Sequence, residues 1–412
     1  MDDTIFMAKQ LELLEGKNVG VIGFNARPIA ASLKRQGAQT FVSDYWGDLD
    51  LASVSTEYIT ILSPIAGVRQ RQPLDIPLCE VLVENFEILT QDKNLDYVII
   101  GSGFDDRSET LDDIHRRGLL VGTSPADMKK ARNLKVIEKI VTKWDYKVPR
   151  HELFQNAQDL LDADNAAQYP YVLRPLFSGG GAGIRYIRNR EDLERILYQK
   201  PKESYPLVIQ QYIKGRDFSC SVLSTGKQAK AVSVQKQLIG VPSAGRNCDF
   251  AYCGNYLPSG LPTFIEHKIA RFSEQLAVEL GLKGSVGFDF VVSESEEIWL
   301  MEVNPRIQGT LEMLEIAGDI SITQEHVKSS HDDLIEMLPQ FKPVVKMIVY
   351  SRRSGLVPDL SLFPDTYDRS PKGVHVNQKD PICTVVTTGK NLQEAYRNTC
   401  ANVWNIQKHT KL

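Results

Sequence analysis

Apolar positions along the chain alternate between short runs and longer periodic stretches. Asn18–Gly23 (NVGVIG) is a β-branched run ending in glycine. Pro28–Gln36 has a helix's composition and is closed by Gly37, and Gln39–Ser43 is the next strand, followed by Asp44. Asp96–Ile100 (DYVII) adds a strand that runs into Gly101-Ser102-Gly103. Strands alternating with helices predict a parallel α/β sheet. Residues 126–143 have strong helical periodicity, with Val136, Ile137, Ile140 and Val141 on one stripe and lysines opposite, until Val148-Pro149 stops the pattern. Short strands flank a glycine cluster at 179–183, Leu207–Ile213 and Asp217–Leu223 read as strands, and 264–281 is an amphipathic helix ended by Gly281. Ser285–Val292 and Glu297–Val303, separated by an acidic turn, predict an antiparallel hairpin. From about 340 the tail has strands of its own, KMIVY and ICTVVTTG, then a helix from Leu392 to about Val403, so a small β-rich C-terminal domain is expected.

Length and charge narrow the field. At about 150 residues per domain, 412 residues suggest two or three domains. An apolar fraction of 42% with 24% charged residues disfavours disordered, collagen-like and coiled-coil chains. The net charge of −4 gives no global pull toward nucleic acid or an anionic membrane. No apolar run is long enough to span a bilayer. Asp2 and Asp3 are wrong for the basic start of a secretory signal, so a cytoplasmic location is expected. The six cysteines are spread out with no CxxC, and reduced, mostly buried thiols are the favoured reading.

Gly20, Gly23 and Ala26, with Asp44 about 20 residues on, imitate a dinucleotide fingerprint. The match is incomplete: GxGxxG would need glycine at 18, 20 and 23 or at 21, 23 and 26. Glycines serving a tight strand-to-helix turn are preferred over nicotinamide binding.

Three clusters carry chemistry. In the first, Arg174 precedes Ser178, Gly179, Gly180, Gly181 and Gly183; unblocked N–H groups form an anion nest and the arginine supplies fixed positive charge. It is no Walker loop, and a flexible hairpin tip is the alternative. In the second, Gln210, Gln211, Tyr212 and Ile213 end a strand that can offer backbone groups to an adenine edge, and Asp217 can accept from ribose hydroxyls. In the third, Asp289 lies on one strand of the hairpin and Glu302 and Asn304 on the next, sharing a face by the period of two. Two carboxylates and an amide oxygen are hard ligands suited to magnesium. Their apolar neighbours, GFDFVV and IWLMEV, make a solvated acidic hairpin a poor explanation.

In this order and spacing the clusters resemble the ATP-grasp superfamily over most of residues 1–330. The gap of 13 from Asp289 to Glu302 is as in D-alanine–D-alanine ligases, and Glu302-Val-Asn304-Pro-Arg306-Ile-Gln308 is similar to biotin carboxylase and carbamoyl phosphate synthetase. The nearest group is the uncharacterised carboligases related to biotin carboxylase. The resemblance implies an α/β (α+β ATP-grasp) fold in three parts: a Rossmann-like pre-ATP-grasp domain over 1–127, a two-lobed ATP-grasp domain over 128–335 with a glycine-rich lid at about 150–212, and a small β-rich domain over 340–412.

It also implies a mechanism. ATP lies between the lobes. Magnesium, as two ions with manganese an allowed substitute, sits on Asp289, Glu302 and Asn304. A carboxylate takes the γ-phosphate to give an acyl phosphate and ADP, and an amine then displaces phosphate. Arg306 holds the carboxylate or acyl-phosphate oxygen, with Gln308 and Gly309 beside it. The partners implied are small carboxylates and amines, with no nucleic acid and no membrane; homodimerisation is carried over as an analogy.

The chain departs from the pattern in three places. Arg174 stands where lysine is usual, as in carbamoyl phosphate synthetase. The second family lysine falls on Leu134, which leaves Lys135, one residue along, as its substitute. The carboxylase's general base falls on Thr310, with Glu312 two residues further, which favours a carboxylate–amine ligase over a bicarbonate-dependent carboxylase. An ATP-binding regulatory protein without turnover is the reading from another class. Lys236, Gln237, Asn247, Asp249, Tyr252 and Asn255 fall where the resemblance puts the acceptor substrate, a polar surface loop being the alternative.

Overall fold

A computed structural model of the chain describes residues 13–68, 77–144, 146–163, 169–176, 179–198, 206–246 and 250–410. It begins with a four-stranded parallel sheet of order β3-β2-β1-β4, built from β1 (Asn18–Gly23), β2 (Gln39–Asp44), β3 (Glu57–Thr60) and β4 (Tyr97–Ile100). Helices α1 (Arg27–Arg35) and α2 (Leu78–Thr90) pack on it. A Cβ at Gly20 would lie 2.5 Å from the Phe86 ring of α2, and one at Gly23 would lie 3.1 Å from Gly101 Cα. These glycines therefore serve close packing.

The periodic stretch 126–143 is two helices, not one: α3 (Pro125–Ala131) and α4 (Leu134–Lys143). They break at Arg132-Asn133, where the Asn133 side chain caps α4 by accepting from the N–H of Lys135 and Val136. Next comes a four-stranded antiparallel sheet, β5-β8-β6-β7, of β5 (His151–Phe154), β6 (Tyr171–Pro175), β7 (Arg185–Ile187) and β8 (Leu207–Gln211). It is backed by α5 (Ala157–Ala163) and α6 (Arg190–Tyr198) over a core of its own that includes Phe154, Leu160, Tyr171 and Leu193.

The central sheet has eight strands, in the order β13-β12-β9-β10-β11-β14-β18-β16. They are β9 (Gly215–Thr225), β10 (Ala229–Ile239), β11 (Tyr252–Leu257), β12 (Lys283–Ser293), β13 (Ile298–Asn304), β14 (Val344–Tyr350), β16 (Thr366–Tyr367) and β18 (Pro381–Thr388), with β15 (Gly355–Leu356) and β17 (His375–Val376) pairing separately. Of the strands of 340–412, β14, β16 and β18 thus extend the central sheet, and only β15 and β17 pair apart from it. Alternation marks a strand, but its partner lies far away in the chain, where pattern does not reach.

Alternation assigns the two faces of the sheet. Phe218, Cys220, Val222, Val286 and Phe288 bury against α7 (Thr263–Leu280), through Ile269, Phe272 and Leu276. Each such side chain contributes about 1.5–3 kcal/mol when fully buried. Gly281 ends α7 at φ 72°, as expected from sequence. The intervening positions on the other face, Ser219, Ser221, Gln235, Gln237, Asn255 and Asp289, are polar and linked by hydrogen bonds. Beside this face lie α8 (Leu311–Ala317) and α9 (Ile322–Ser330), and α10 (Leu392–His409) covers the C-terminal strands.

Two buried polar groups join the parts. Arg27, 2% exposed at the start of α1, gives Nη1 and Nη2 to Glu312 of α8 at 2.5 and 2.6 Å and Nε to Asp368 at 2.9 Å, with Asp50 at 3.5 Å. Burial alone would lower its pKa; Asp368 and Glu312 raise it well above normal. His326 of α9 accepts from the Ser285 N–H at 2.8 Å and donates to the Val121 carbonyl at 3.1 Å, tying the central sheet to the N-terminal unit. Burial lowers its pKa to about 4, so it is neutral. Cys79, Cys220 and Cys383 are buried free thiols. Among the described residues no helix is long and apolar enough to cross a membrane.

Candidate active site

Antiparallel register places Asp289 of β12 directly opposite Glu302 of β13, and Gly287 opposite Asn304, with a bulge after Asp289. Like charges directly opposite in a sheet repel. Asp289 accepts from Gln237 Nε2 at 2.9 Å and from Asn304 Nδ2 at 3.1 Å. Burial first, and Glu302 next, push its carboxyl up to about 7. A partly buried carboxylate facing a second carboxylate is a pair that a divalent cation would stabilise. The donor set therefore fits magnesium. The Asn304 Oδ1 faces Arg306 Nη2 at 3.2 Å, so it turns toward a metal only when its amide rotates. Among the described residues no three His, Cys, Asp or Glu side chains gather as a metal site.

Glu302 also meets a cation that sequence reasoning missed. Arg132, at the break between α3 and α4, gives Nη1 to Glu302 at 2.5 Å and Nη2 to Asp106 at 2.8 Å. Burial would lower its pKa, but Glu302 and Asp106 hold it above normal. The signal was Asn133, a helix-capping residue inside an unbroken periodic run. Lys135 is exposed on the first turn of α4, and no contact joins its side chain to these carboxylates.

Arg174, next to last in β6, lies near the same group. Its Nε donates to Gln210 Oε1 at 2.9 Å, and burial lowers its pKa, with Glu302 opposing and Arg132 adding to the shift. Two guanidiniums thus converge beside Glu302, a suitable bed for phosphate oxygens. Ser178 lies outside the described residues. Gly179 and Gly180 are exposed, and the Gly180 carbonyl accepts from the Tyr252 N–H at 3.3 Å. Gly181 is at φ 81°, and a Cβ there would lie 1.8 Å from the Phe250 carbonyl oxygen, so the glycine loop rests on the entry to β11 in a way only glycine allows.

Gln210 faces inward on β8 and Gln211 outward, accepting from the Arg150 N–H at 3.3 Å. Tyr212 packs edge-on against Tyr186 at 4.8 Å, and Tyr212 and Ile213 lie half-buried in the link to β9. Asp217 is raised by burial and opposed by Lys236, whose Nζ lies 3.8 Å from its carboxylate and 2.9 Å from its carbonyl.

Arg306 follows β13. Its Nε meets the Asp105 carboxylate at 3.0 and 3.1 Å, in the loop after β4. Gln308 lies against Gly287, where a Cβ would come within 1.7 Å of its amide, and its Oε1 accepts from Ser221 at 2.9 Å. Thr310 also meets Ser221, at 3.1 Å. Lys346 of β14 is buried and donates to the Gly309 carbonyl; burial lowers its pKa. Tyr252 and Asn255 bond one another, and Asn247 and Asp249 lie outside the described residues. Arg306, Gln308, Asp289, Glu302, Asn304, Arg174 and Gln210 are therefore brought together, with Asp217 and the glycine loop at the margin and Lys135 apart.

Residues 132–310 match the ATP-grasp domain family. An uncharacterized protein of Methanocaldococcus jannaschii is 23% identical over 385 residues, 93% of this chain and 91% of its own. The fold is similar to the ADP complex of PurK, N5-carboxyaminoimidazole ribonucleotide synthetase, with a TM-score of 0.71 at 18% identity, covering 96% of this chain and 99% of that one. It is also similar to the biotin carboxylase domain of Hydrogenobacter thermophilus 2-oxoglutarate carboxylase, solved with MgADP, ADP and bicarbonate (TM-score 0.69, 14% identity, 91% and 86% of the two chains). Residues 132–310 are thus similar to the ATP-grasp domain family, in a chain whose fold is similar to those of PurK and biotin carboxylase.

Proposed function

We propose that the protein is an ADP-forming ligase that activates a carboxylate with ATP and joins it to an amine. One observation carries the choice. Glu312, the nearest substitute for a carboxylase-type base, is 2% exposed and held by both terminal nitrogens of Arg27. Both its oxygens are taken by that guanidinium, and Thr310 at the base's own position is bonded to Ser221. With both of these positions engaged, the site suits a nucleophile that arrives as an amine.

In this reading Asp289, Glu302 and Asn304 hold magnesium, which when bound neutralises phosphate charge. Arg132 and Arg174 take phosphate oxygens, and Gly179, Gly180 and Gly181 cover them. Gln210, Gln211, Tyr212, Ile213 and Asp217 receive the nucleoside. Arg306 and Gln308 orient the substrate carboxylate so that its oxygen attacks the γ-phosphorus and ADP leaves. The amine nitrogen then bonds to the acyl carbon as the carbon–oxygen bond to phosphate breaks, and the nitrogen releases a proton. Alignment and charge neutralisation do the catalysis; no covalent enzyme intermediate is needed.

The test is ADP release from ATP and magnesium, screened against carboxylates and amines with and without bicarbonate. Release that needs both a carboxylate and an amine is the expected result. Release that needs bicarbonate alone would instead support the second reading, ATP-dependent carboxylation, which the bicarbonate bound to the Hydrogenobacter thermophilus domain favours.

A further inference from the structure

The C-terminal edge of the parallel sheet carries a feature the ligase chemistry leaves unused. Phe24 follows β1, and Tyr45 and Trp46 follow β2. Phe24 stacks on Tyr45 at 4.5 Å between centroids, and Trp46 meets both rings edge-on at 5.3 and 5.0 Å. All three are half-buried. Asp44 fixes them from below: one oxygen accepts from the Ala26 N–H and the other from the Gly47 N–H, each at 2.8 Å, so a single buried carboxylate staples the two loops. Its oxygens are thus engaged by backbone, which is why the dinucleotide pattern does not extend to a ribose.

This edge is where open α/β sheets take ligands. It also adjoins the reacting end of the site. The Phe24 N–H donates to Ser102 at 2.7 Å, and a Cβ on Gly103 would lie 3.7 Å from Phe24 Cβ. Two residues on is Asp105, the partner of Arg306. Asn25, between Phe24 and Ala26, has a buried Oδ1 with no hydrogen-bond donor among the described residues. The charge nearby is negative: Asp48, two residues past Trp46, is 8% exposed among Asp44, Asp50 and Asp368, while Arg27 is taken by Glu312 and Asp368.

We propose that Phe24, Tyr45 and Trp46 seat the body of the acceptor amine, that this acceptor is an arylalkylamine or a similarly flat cationic amine, and that Asp105 and Asn25 Oδ1 receive its ammonium. This rests on the ligase reading for the acceptor's role, but the seat itself can be tested alone. Aromatic faces attract a flat ring and a cation together, and an ammonium brings three donors to the unpartnered Asn25 Oδ1 and to the Asp105 carboxylate, which it would share with Arg306. An anionic ring is disfavoured by the surrounding carboxylates. An amine held on Asp105 would stand beside the acyl group held on Arg306.

The test is a titration of the full-length protein, without ATP, with 2-phenylethylamine, 2-cyclohexylethylamine and phenylacetate, followed by calorimetry. 2-Phenylethylamine is expected to bind tightest. Trp46→Ala and Tyr45→Ala are expected to weaken it about tenfold, and Trp46→Phe, which keeps a ring, to retain most of it. ATP affinity in the same variants reports whether they fold. Equal binding of the three probes, or unchanged binding in a folded Trp46→Ala, overturns the proposal. Amine-dependent ADP release is measured in parallel. Binding of 2-phenylethylamine without such release would leave the seat standing and the ligase reading refuted. Release with aliphatic amines only, without aryl binding, would do the reverse.

Discussion

Replacing Arg27 by methionine keeps most of its volume and removes one buried positive charge. The guanidinium meets Glu312 through two nitrogens, Asp368 at 2.8 Å and Asp50 at 3.5 Å. Without it Lys346 still faces Asp368, but Glu312 loses the guanidinium that binds both its oxygens. A carboxylate left buried without the guanidinium that binds both its oxygens should cost ~3–5 kcal/mol, the usual result of breaking one side of a buried pair. Urea unfolding at pH 7 measures the loss. A loss under about 1 kcal/mol would refute the reasoning. Arg27→Met with Glu312→Leu should recover most of the loss, because the unpaired carboxylate is then gone.

Asp289→Asn relieves repulsion with Glu302, so the ligand-free protein should be no less stable in thermal melts while magnesium-dependent ADP binding is lost; unchanged magnesium dependence would exclude Asp289 as a ligand. Arg132→Ala should weaken ATP binding by about ten- to a hundredfold, the worth of one or two charge-assisted bonds, whereas Lys135→Ala should leave it alone; calorimetry showing the opposite order would return the role to Lys135. His326 has its pKa lowered to about 4 in the fold, so its contribution is complete above about 6.5 and is lost as pH falls toward 4, by about 3 kcal/mol in all. The pH dependence of unfolding should flatten in His326→Gln, and an unaltered slope would count against it. Gly181→Ala places a Cβ against the Phe250 carbonyl and should raise the Kd for ATP without moving the Tm; a wild-type Kd would mean that the loop need not rest there.

The legible parts of the fold were those set by local period. The β12–β13 hairpin could be read because its two strands are adjacent and Asp289 falls opposite Glu302 by simple pairing. The end of α7 could be read because Gly281 is a helix stop. The helix break at Arg132 was hidden by apolar positions that keep their stripe across it; Asn133 was the one residue out of place. The Arg306–Asp105 pair joins residues about 200 positions apart, and the Arg27–Asp368 contact still more, so no pattern in the chain connects them. The aromatic cluster was equally invisible, since Phe24 meets Tyr45 only after β1 and β2 align.

The continuity of the central sheet has a consequence for synthesis. Tyr252–Leu257 takes its outer partner from Val344–Tyr350, about 90 residues later in the chain. At ordinary elongation rates its backbone edge waits roughly 5–20 s on the ribosome before that partner exists. Any nascent chain halted between the two segments would present an open strand edge to its neighbours, and a gene cut there would encode two insoluble halves.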